Sequence, residues 1–193
     1  MGVYQEAIGA IGDALDRARA TGRRNMNAMS LATIAADGTP SVRTVLVKQI
    51  DQAGLVFFTD ARSRKGRDLS VDPRASVCFY WEPLEEQARI DGVIEPVDPQ
   101  DVERDFDARP RAGQVMIWAS EQSAALKSET VLKEQIASVE ARYPETLPVP
   151  DFWVGYRLVP HYIELWRGRR DRLHERVAYT LDDGEWARHA LQP

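Results

Sequence analysis

The sequence is poor in the residues that usually do metal or thiol chemistry. A single cysteine, Cys78, excludes an intrachain disulfide and fits a reducing, cytoplasmic setting. It sits in the apolar run Ser76-Val-Cys-Phe-Tyr80 and reads as an inert buried thiol. The three histidines, His161, His174 and His189, are scattered, with no H-x-x-x-H and no C-x-x-C, which argues against a metal site. No G-x-S-x-G elbow is present, and neither is G-x-G-x-x-G nor a P-loop. A nucleotide-like ligand would therefore be held by something other than those loops. No run approaches the ~18 apolar residues of a membrane span, and the N-terminus lacks the charged-then-apolar pattern of a signal peptide. Excess positive charge is missing too. The net charge of −5 argues against a general nucleic-acid binder or a basic membrane-surface protein.

What is present suits one domain spanning 1–193, with 44% hydrophobic and 28% charged residues. Val3, Ala7, Ile8, Ile11, Ala14, Leu15 and Ala18 recur at helical spacing, which predicts a packing helix over 3–21 ended by Gly22. Residues 27–36 and 41–50 read as strands around an Asp37-Gly38 turn, and 55–59 as a third strand after a turn at 51–54. Two consecutive hairpins predict an antiparallel meander. Ser63 is placed to cap a helix to about Val71. Strands follow over 74–81 and 87–97. Asp98-Pro99 starts a helix to about Ala108, 114–120 reads as helical, and 128–143 as a helix with one apolar side. Strands over 152–166, 171–179 and 185–191 close the chain. Seven or eight short strands with helices between them fit a small antiparallel barrel, mainly β with flanking helices.

Two basic stretches stand out in this acidic chain. Arg43, Lys48, Arg62, Arg64 and Lys65 fall within 23 residues. Arg64, Lys65 and Arg67 would lie in the first turns of the helix capped by Ser63, where cations oppose the helix dipole. That placement makes sense if an anion sits there, using the free N–H groups as well. The second stretch, Trp166 to Arg176, packs five arginines with His174 into 11 residues. On a strand, Arg172, His174 and Arg176 would share one face. Trp118, Gln122 and Ser123 form a weaker polar-aromatic cluster.

Taken together, Arg43-Thr-Val-Leu-Val-Lys48, Phe58-Thr59 with Ser63-Arg-Lys65, Gln87, Arg109-Pro-Arg111, Trp118-Ala-Ser-Glu-Gln-Ser123, Phe152-Trp153, Glu164-Leu-Trp166, Arg172-Leu-His-Glu-Arg176 and the closing Leu191-Gln-Pro193 resemble the pyridoxamine 5′-phosphate oxidase family. The resemblance covers the chain from about Asn27 to Pro193. It implies an antiparallel split β-barrel that binds FMN, usually as a homodimer with the cofactor at the subunit interface. It implies that Arg43, Arg64 and Lys65 take the FMN phosphate and that Val45, Leu46, Phe58 and Thr59 line the flavin. Gln87, Gln122, Ser123, Trp166 and Arg176 would complete the cofactor site, partly from the second subunit. Lys48, also counted with the cofactor residues, and Arg109 would face the substrate phosphate. Arg172 and His174 would lie over the substrate ring as the catalytic pair. The implied reaction is hydride transfer from the substrate C4′ carbon to flavin N5, with O2 as final acceptor and H2O2 as product.

The chain departs from the family pattern at Asp105 and Gly113, where the family carries a tyrosine and a serine that help bind the substrate phosphate. It also begins short of the family's N-terminal extension. Phenazine-biosynthesis flavin oxidases share this fold and a similar Arg-Leu-His-Glu-Arg run, so oxidation of another reduced ring compound is a second expectation. A flavin-binding protein without turnover is a third. Arg43 and Lys48 have opposite parity, so both can serve one ligand region only if the strand bends or ends near Lys48, or if the second subunit takes part.

Overall fold

A computed structural model describes residues 2–193. Helix α1 (Val3–Ala20) buries the stripe Ala7, Ile8, Ile11, Ala14, Leu15 and Ala18, which is the face its spacing predicts. The remaining elements are β1 (Ala28–Ile34), β2 (Pro40–Leu46), β3 (Gln49–Asp51), β4 (Gly54–Asp60), α2 (Arg64–Val71), β5 (Arg74–Trp81), β6 (Glu86–Pro96), α3 (Pro99–Asp107), α4 (Arg111–Ala119), α5 (Glu129–Arg142), β7 (Trp153–Arg167), β8 (Glu175–Asp182) and β9 (Glu185–Ala190). No helix among the described residues is long and apolar enough to cross a membrane.

The sheet has nine strands, in the order β2-β1-β5-β6-β7-β4-β3, with β8 between β7 and β9. The predicted hairpins β1–β2 and β3–β4 both form. The meander does not, because the two hairpins lie at opposite ends of the strand order. Only Val47 and Lys48 separate β2 from β3. In a flat sheet the six steps between those strands would place them ~29 Å apart at ~4.8 Å per step. Two linking residues reach no further than ~11 Å. The sheet must therefore curl until its ends meet, and the result is a barrel. Strand β7 makes it a split one: Trp153–Leu158 pairs with β4, while Tyr162–Arg167 pairs with β8 on the same side. The sheet forks halfway along that strand.

The barrel interior is filled by Met29, Leu31, Phe57, Phe79, Trp81, Ile90, Leu158 and Ile163, all nearly inaccessible. Helix α1 closes it, and Arg17 anchors the helix through Nη1 and Nη2 contacts of 2.9 and 2.7 Å to Glu86. A second cluster, Phe106, Val115, Leu147 and Trp153, seats α3, α4 and α5 beside the barrel.

Two further expectations are corrected. The predicted strand 41–50 is broken at Val47–Lys48: Val47 turns inward to full burial, and its N–H bonds Asn27 instead of a ladder partner. The predicted strand 171–179 starts only at Glu175. Arg172 sits in the preceding turn with φ +63°, so Arg172 and His174 do not share a strand face with Arg176.

Candidate active site

The first group of side chains is assembled where α2 meets the barrel. Ser63 caps α2 by accepting from the Gly66 N–H at 3.2 Å. Gly66 lies so close to the preceding loop that a Cβ would come within 2.3 Å of the Ala61 carbonyl oxygen. The start of α2 is thereby pressed against the end of β4. Asp68, nearly buried, accepts from Thr33 Oγ1 at 2.7 Å and lies 3.5 Å from Arg43 Nη2. Arg43 Nη1 donates to Thr33 Oγ1 at 2.6 Å and to the Leu31 carbonyl at 3.2 Å, and Nη2 donates to Ser41 Oγ at 2.8 Å. The Arg43 guanidinium is thus fixed between β1, β2 and Asp68 of α2.

Lys65 Nζ donates to Thr59 Oγ1 at 2.9 Å, to Gln122 Oε1 at 2.9 Å and to Ser63 Oγ at 3.2 Å. Ser123 Oγ accepts from the Arg64 N–H at 3.2 Å. Among the described residues, neither Arg64 nor Lys65 has a carboxylate within ion-pairing distance. Burial holds the Lys65 ammonium below its ordinary value, and the nearby Arg43 cation adds to this against the pull of Asp60. Burial likewise depresses Arg43; Asp68 opposes this and Arg64 reinforces it. Three cations converge, two of them half-buried, with neutral oxygens as the direct partners of Lys65. Such a group favours an added anion, because like charges held together out of water are relieved by an opposite one.

The second group is a row across the outer face of the sheet. Tyr80 pairs with Gln87, Gln87 with Trp166 and Trp166 with Arg176, so one cross-strand line holds Gln87, Trp166 and Arg176. The His174 ring lies 5.0 Å from the Trp166 ring, and His174 Nδ1 accepts from the Arg169 N–H at 3.1 Å. Arg176 Nε donates to Glu164 at 2.9 Å and Nη1 donates to the Gln192 carbonyl at 2.9 Å. Arg172 is exposed beside this row. No hydrogen bond, ion pair or ring contact joins this row to the Lys65 group among the described residues.

Other predicted residues divide. Val45 packs on the barrel core, while Leu46 stays 41% exposed on the outer face. Phe58 is half-buried against the second cluster and over Gly155, so its backbone, more than its ring, is free to meet a ligand. The break after Leu46 resolves the parity difficulty of Arg43 and Lys48. Lys48 leaves the strand and reaches Asp105, with Nζ 3.6 Å from Oδ1. Arg109 Nε and Nη2 donate to Asp105 Oδ2 at 2.8 and 2.6 Å, and the guanidinium lies over the Trp153 ring at 4.7 Å. A pocket of about 240 Å³ is lined by Arg109, Trp153, Asp60 and Gln122 among others. Gln122 therefore borders the Arg109 pocket and holds Lys65 at once.

Sequence reasoning gave no role to Asp68, Thr33 or Glu164. Glu164 is 3% exposed and gathers Arg176, Arg89 and the Tyr162 hydroxyl. Its signal was present in the alternation Tyr162, Glu164, Trp166, which puts a carboxylate on the same face as the ring residues. Arg62 had the opposite fate: it pairs with Asp60 and stacks on Phe152 at 3.4 Å, a structural role.

Comparison with known proteins gives the family and the fold. The family described as "Pyridoxamine 5'-phosphate oxidase" matches residues 15–143, and "Pyridoxine 5'-phosphate oxidase C-terminal dimerisation region" matches 153–193. A protein of Janthinobacterium sp. (strain Marseille) named pyridoxine/pyridoxamine 5′-phosphate oxidase is 48% identical over 168 residues, covering 86% of this chain and 80% of its own. One of the same name from Anaeromyxobacter dehalogenans is 44% identical over 189 residues, covering 97% and 96%. Among solved structures, PhzG from Burkholderia lata 383 in complex with tetrahydrophenazine-1-carboxylic acid superposes with TM-score 0.91 at 34% identity, over 96% of this chain and 92% of that one. The matches span the barrel, the α2 cations and the outer row, and by them this chain belongs to the pyridoxamine 5′-phosphate oxidase family.

Proposed function

We propose that this FMN-dependent oxidoreductase oxidises pyridoxine or pyridoxamine 5′-phosphate to pyridoxal 5′-phosphate, with O2 as electron acceptor and H2O2 as product. The observation that carries the reading is the half-buried Lys65 ammonium beside Arg43, with no carboxylate among the described residues in ion-pairing distance of it. Arg43, Arg64 and Lys65 would hold the FMN phosphate, Thr59 and Gln122 its sugar-alcohol chain, and the row Gln87, Trp166 and Arg176 its ring. The matched dimerisation region supports a homodimer. A second copy would bring its outer row to the first copy's α2 cations, which the single chain leaves apart. Residues 1–193 would act as one unit, since one curled sheet carries both groups.

Bound FMN would supply the two-electron acceptor; the chain's own residues position and polarise. Lys48 and Arg109 would fix the anionic tail of the substrate at the mouth of the Gln122 pocket. Arg172 is held out of the sheet by its left-handed turn, and His174 is fixed against Trp166, so both would lie over the substrate ring. They would orient it and stabilise charge that develops as C4′ is oxidised. The bond between the Arg169 N–H and His174 Nδ1 leaves Nε2 of that ring to face the substrate.

The test is H2O2 release by FMN-loaded protein given each phosphorylated vitamer. Turnover supports the reading. A yellow protein inert to both favours a second reading, oxidation of a reduced ring carboxylate, for which the PhzG likeness speaks. A protein that no such compound reduces would be a flavin-binding protein without turnover.

A further inference from the structure

The Asp105 carboxylate is the feature that the oxidase reading does not absorb. Its side chain is 9% exposed, and both of its oxygens face cations: Arg109 at 2.6 and 2.8 Å on Oδ2, and Lys48 at 3.6 Å from Oδ1. The helix does not ask for it, since Asp105 lies in the last turn of α3, where the dipole disfavours an anion. Arg109 cannot swing away freely, because its guanidinium lies over Trp153. Arg109 lines one wall of a pocket that Gln122 also borders, and Gln122 Oε1 in turn accepts from Lys65 Nζ.

We infer that Asp105 is a specificity-determining residue. It sets the substrate-tail subsite at one net positive charge, matched to a monoanion such as a carboxylate and mismatched to a phosphate dianion. The inference rests on the reading that Lys48 and Arg109 receive the substrate's tail. Two cations and one carboxylate leave a single charge to be neutralised. Nε and Nη2 of Arg109 form one of the two-pronged edges with which arginine grips a phosphate, and both are committed to Asp105 Oδ2. A monoanion can use the remaining Nη1 edge and Lys48 while Asp105 stays in place. A dianion must displace the carboxylate or sit beside it against Coulomb repulsion. No side chain at position 113 offsets this, although the backbone leaves room for one: the nearest neighbour of a Cβ at Gly113 would be Arg109 Cβ at 3.9 Å. Phosphorylated vitamers are then bound against an internal competitor.

The experiment is titration of FMN-loaded protein with pyridoxal 5′-phosphate and with unphosphorylated pyridoxal, for the wild type and Asp105→Asn. The amide keeps the shape and an acceptor for Arg109 but drops the charge. The expected result is tightening of the phosphate ligand by about tenfold or more in the variant, with pyridoxal moving less than about threefold. Equal or weaker phosphate binding by a folded Asp105→Asn protein overturns the inference, even if the wild type turns over the vitamers. Gain of phosphate binding by the variant, in a protein that oxidises no vitamer, would sink the substrate reading and leave the role of Asp105 standing. Should the variant fail to fold, the wild type alone decides. A pyridine ligand with a carboxymethyl tail must bind at least as tightly as the phosphate-tailed one, and clear preference for the phosphate overturns the inference.

Discussion

Lys65 carries its charge in a place that disfavours charge, and this has consequences for binding and for stability. Replacing it with alanine removes a charge-assisted phosphate contact of about 1.5–3 kcal/mol, so FMN affinity measured by fluorescence titration falls on the order of 10- to 100-fold. The effect depends on pH. Burial and Arg43 depress the Lys65 value below 10.5, so the ammonium is lost at lower pH than on an ordinary lysine. FMN affinity therefore declines early on the alkaline side, and Lys65→Arg, which keeps its charge, abolishes that decline. In the FMN-free protein the sign is reversed. The unfolded chain binds the proton more tightly, so the cost of charging Lys65 is fully present below the depressed value and is relieved as pH rises through it towards 10.5. Titrating FMN-free stability against pH in Lys65→Arg should lose that rise. His174 is a different case, because its ring meets Trp166 and not the α2 cations. His174→Ala should retain FMN and slow substrate-driven flavin reduction under anaerobic conditions; unchanged reduction would remove His174 from the reaction. Glu164→Ala should cost about 1.5–3 kcal/mol in denaturant unfolding, because it strips Arg176, Arg89 and Tyr162 of a nearly buried partner.

Helix α2 is short, and its position depends on the contact between Gly66 and Ala61. Gly66→Ala should therefore cost about 1–3 kcal/mol from overpacking and also weaken FMN binding, since shifting α2 moves Lys65. A stability loss with FMN affinity intact would separate the helix from the site. Helix α1 is held by Glu86. Burial works against this carboxylate, but hydrogen bonds from Arg17 and Arg167 bring it below the ordinary 4.5. That contribution is present above the unfolded value and fades as pH falls through the folded one, so acid should release α1 first, visible as early loss of hydrogen-exchange protection in its backbone. Elements of this kind were legible in the sequence wherever local chemistry decides them: the α1 stripe, the Asp37-Gly38 turn, the Ser63 cap and the Asp98-Pro99 helix start. What was not legible depends on tertiary closure. The break at Val47–Lys48 exists because the two ends of the sheet must meet. The delayed start of β8 exists because Arg172 adopts a left-handed turn that alternation cannot reveal. The candidate cations and ring residues were readable through their resemblance to a family, and Glu164 through its alternation with Tyr162 and Trp166, whereas Asp68, which lies against Arg43, needed the packed barrel to become visible.

At the scale of the molecule, no hydrogen bond, ion pair or ring contact among the described residues joins the α2 cations to the ring row within one chain. The α2 cations gather where α2 meets β2 and β4, while the row Gln87, Trp166 and Arg176 runs across β6, β7 and β8 on the outer face. If a second copy joins them, Lys65→Ala and Trp166→Ala proteins should each bind FMN poorly alone. Exchange of subunits should then restore binding at roughly one site in four, those at which both intact halves meet; no recovery on mixing would place the whole site within one chain. The claim on which all of this rests is that Arg43, Arg64 and Lys65 grip a phosphate and not merely a ring. It is tested most directly by titrating the flavin-free protein with FMN and with riboflavin, which differ only by that group. The account predicts FMN binding tighter by on the order of 100-fold, with the gap shrinking in Lys65→Ala. Riboflavin bound as tightly as FMN would contradict it.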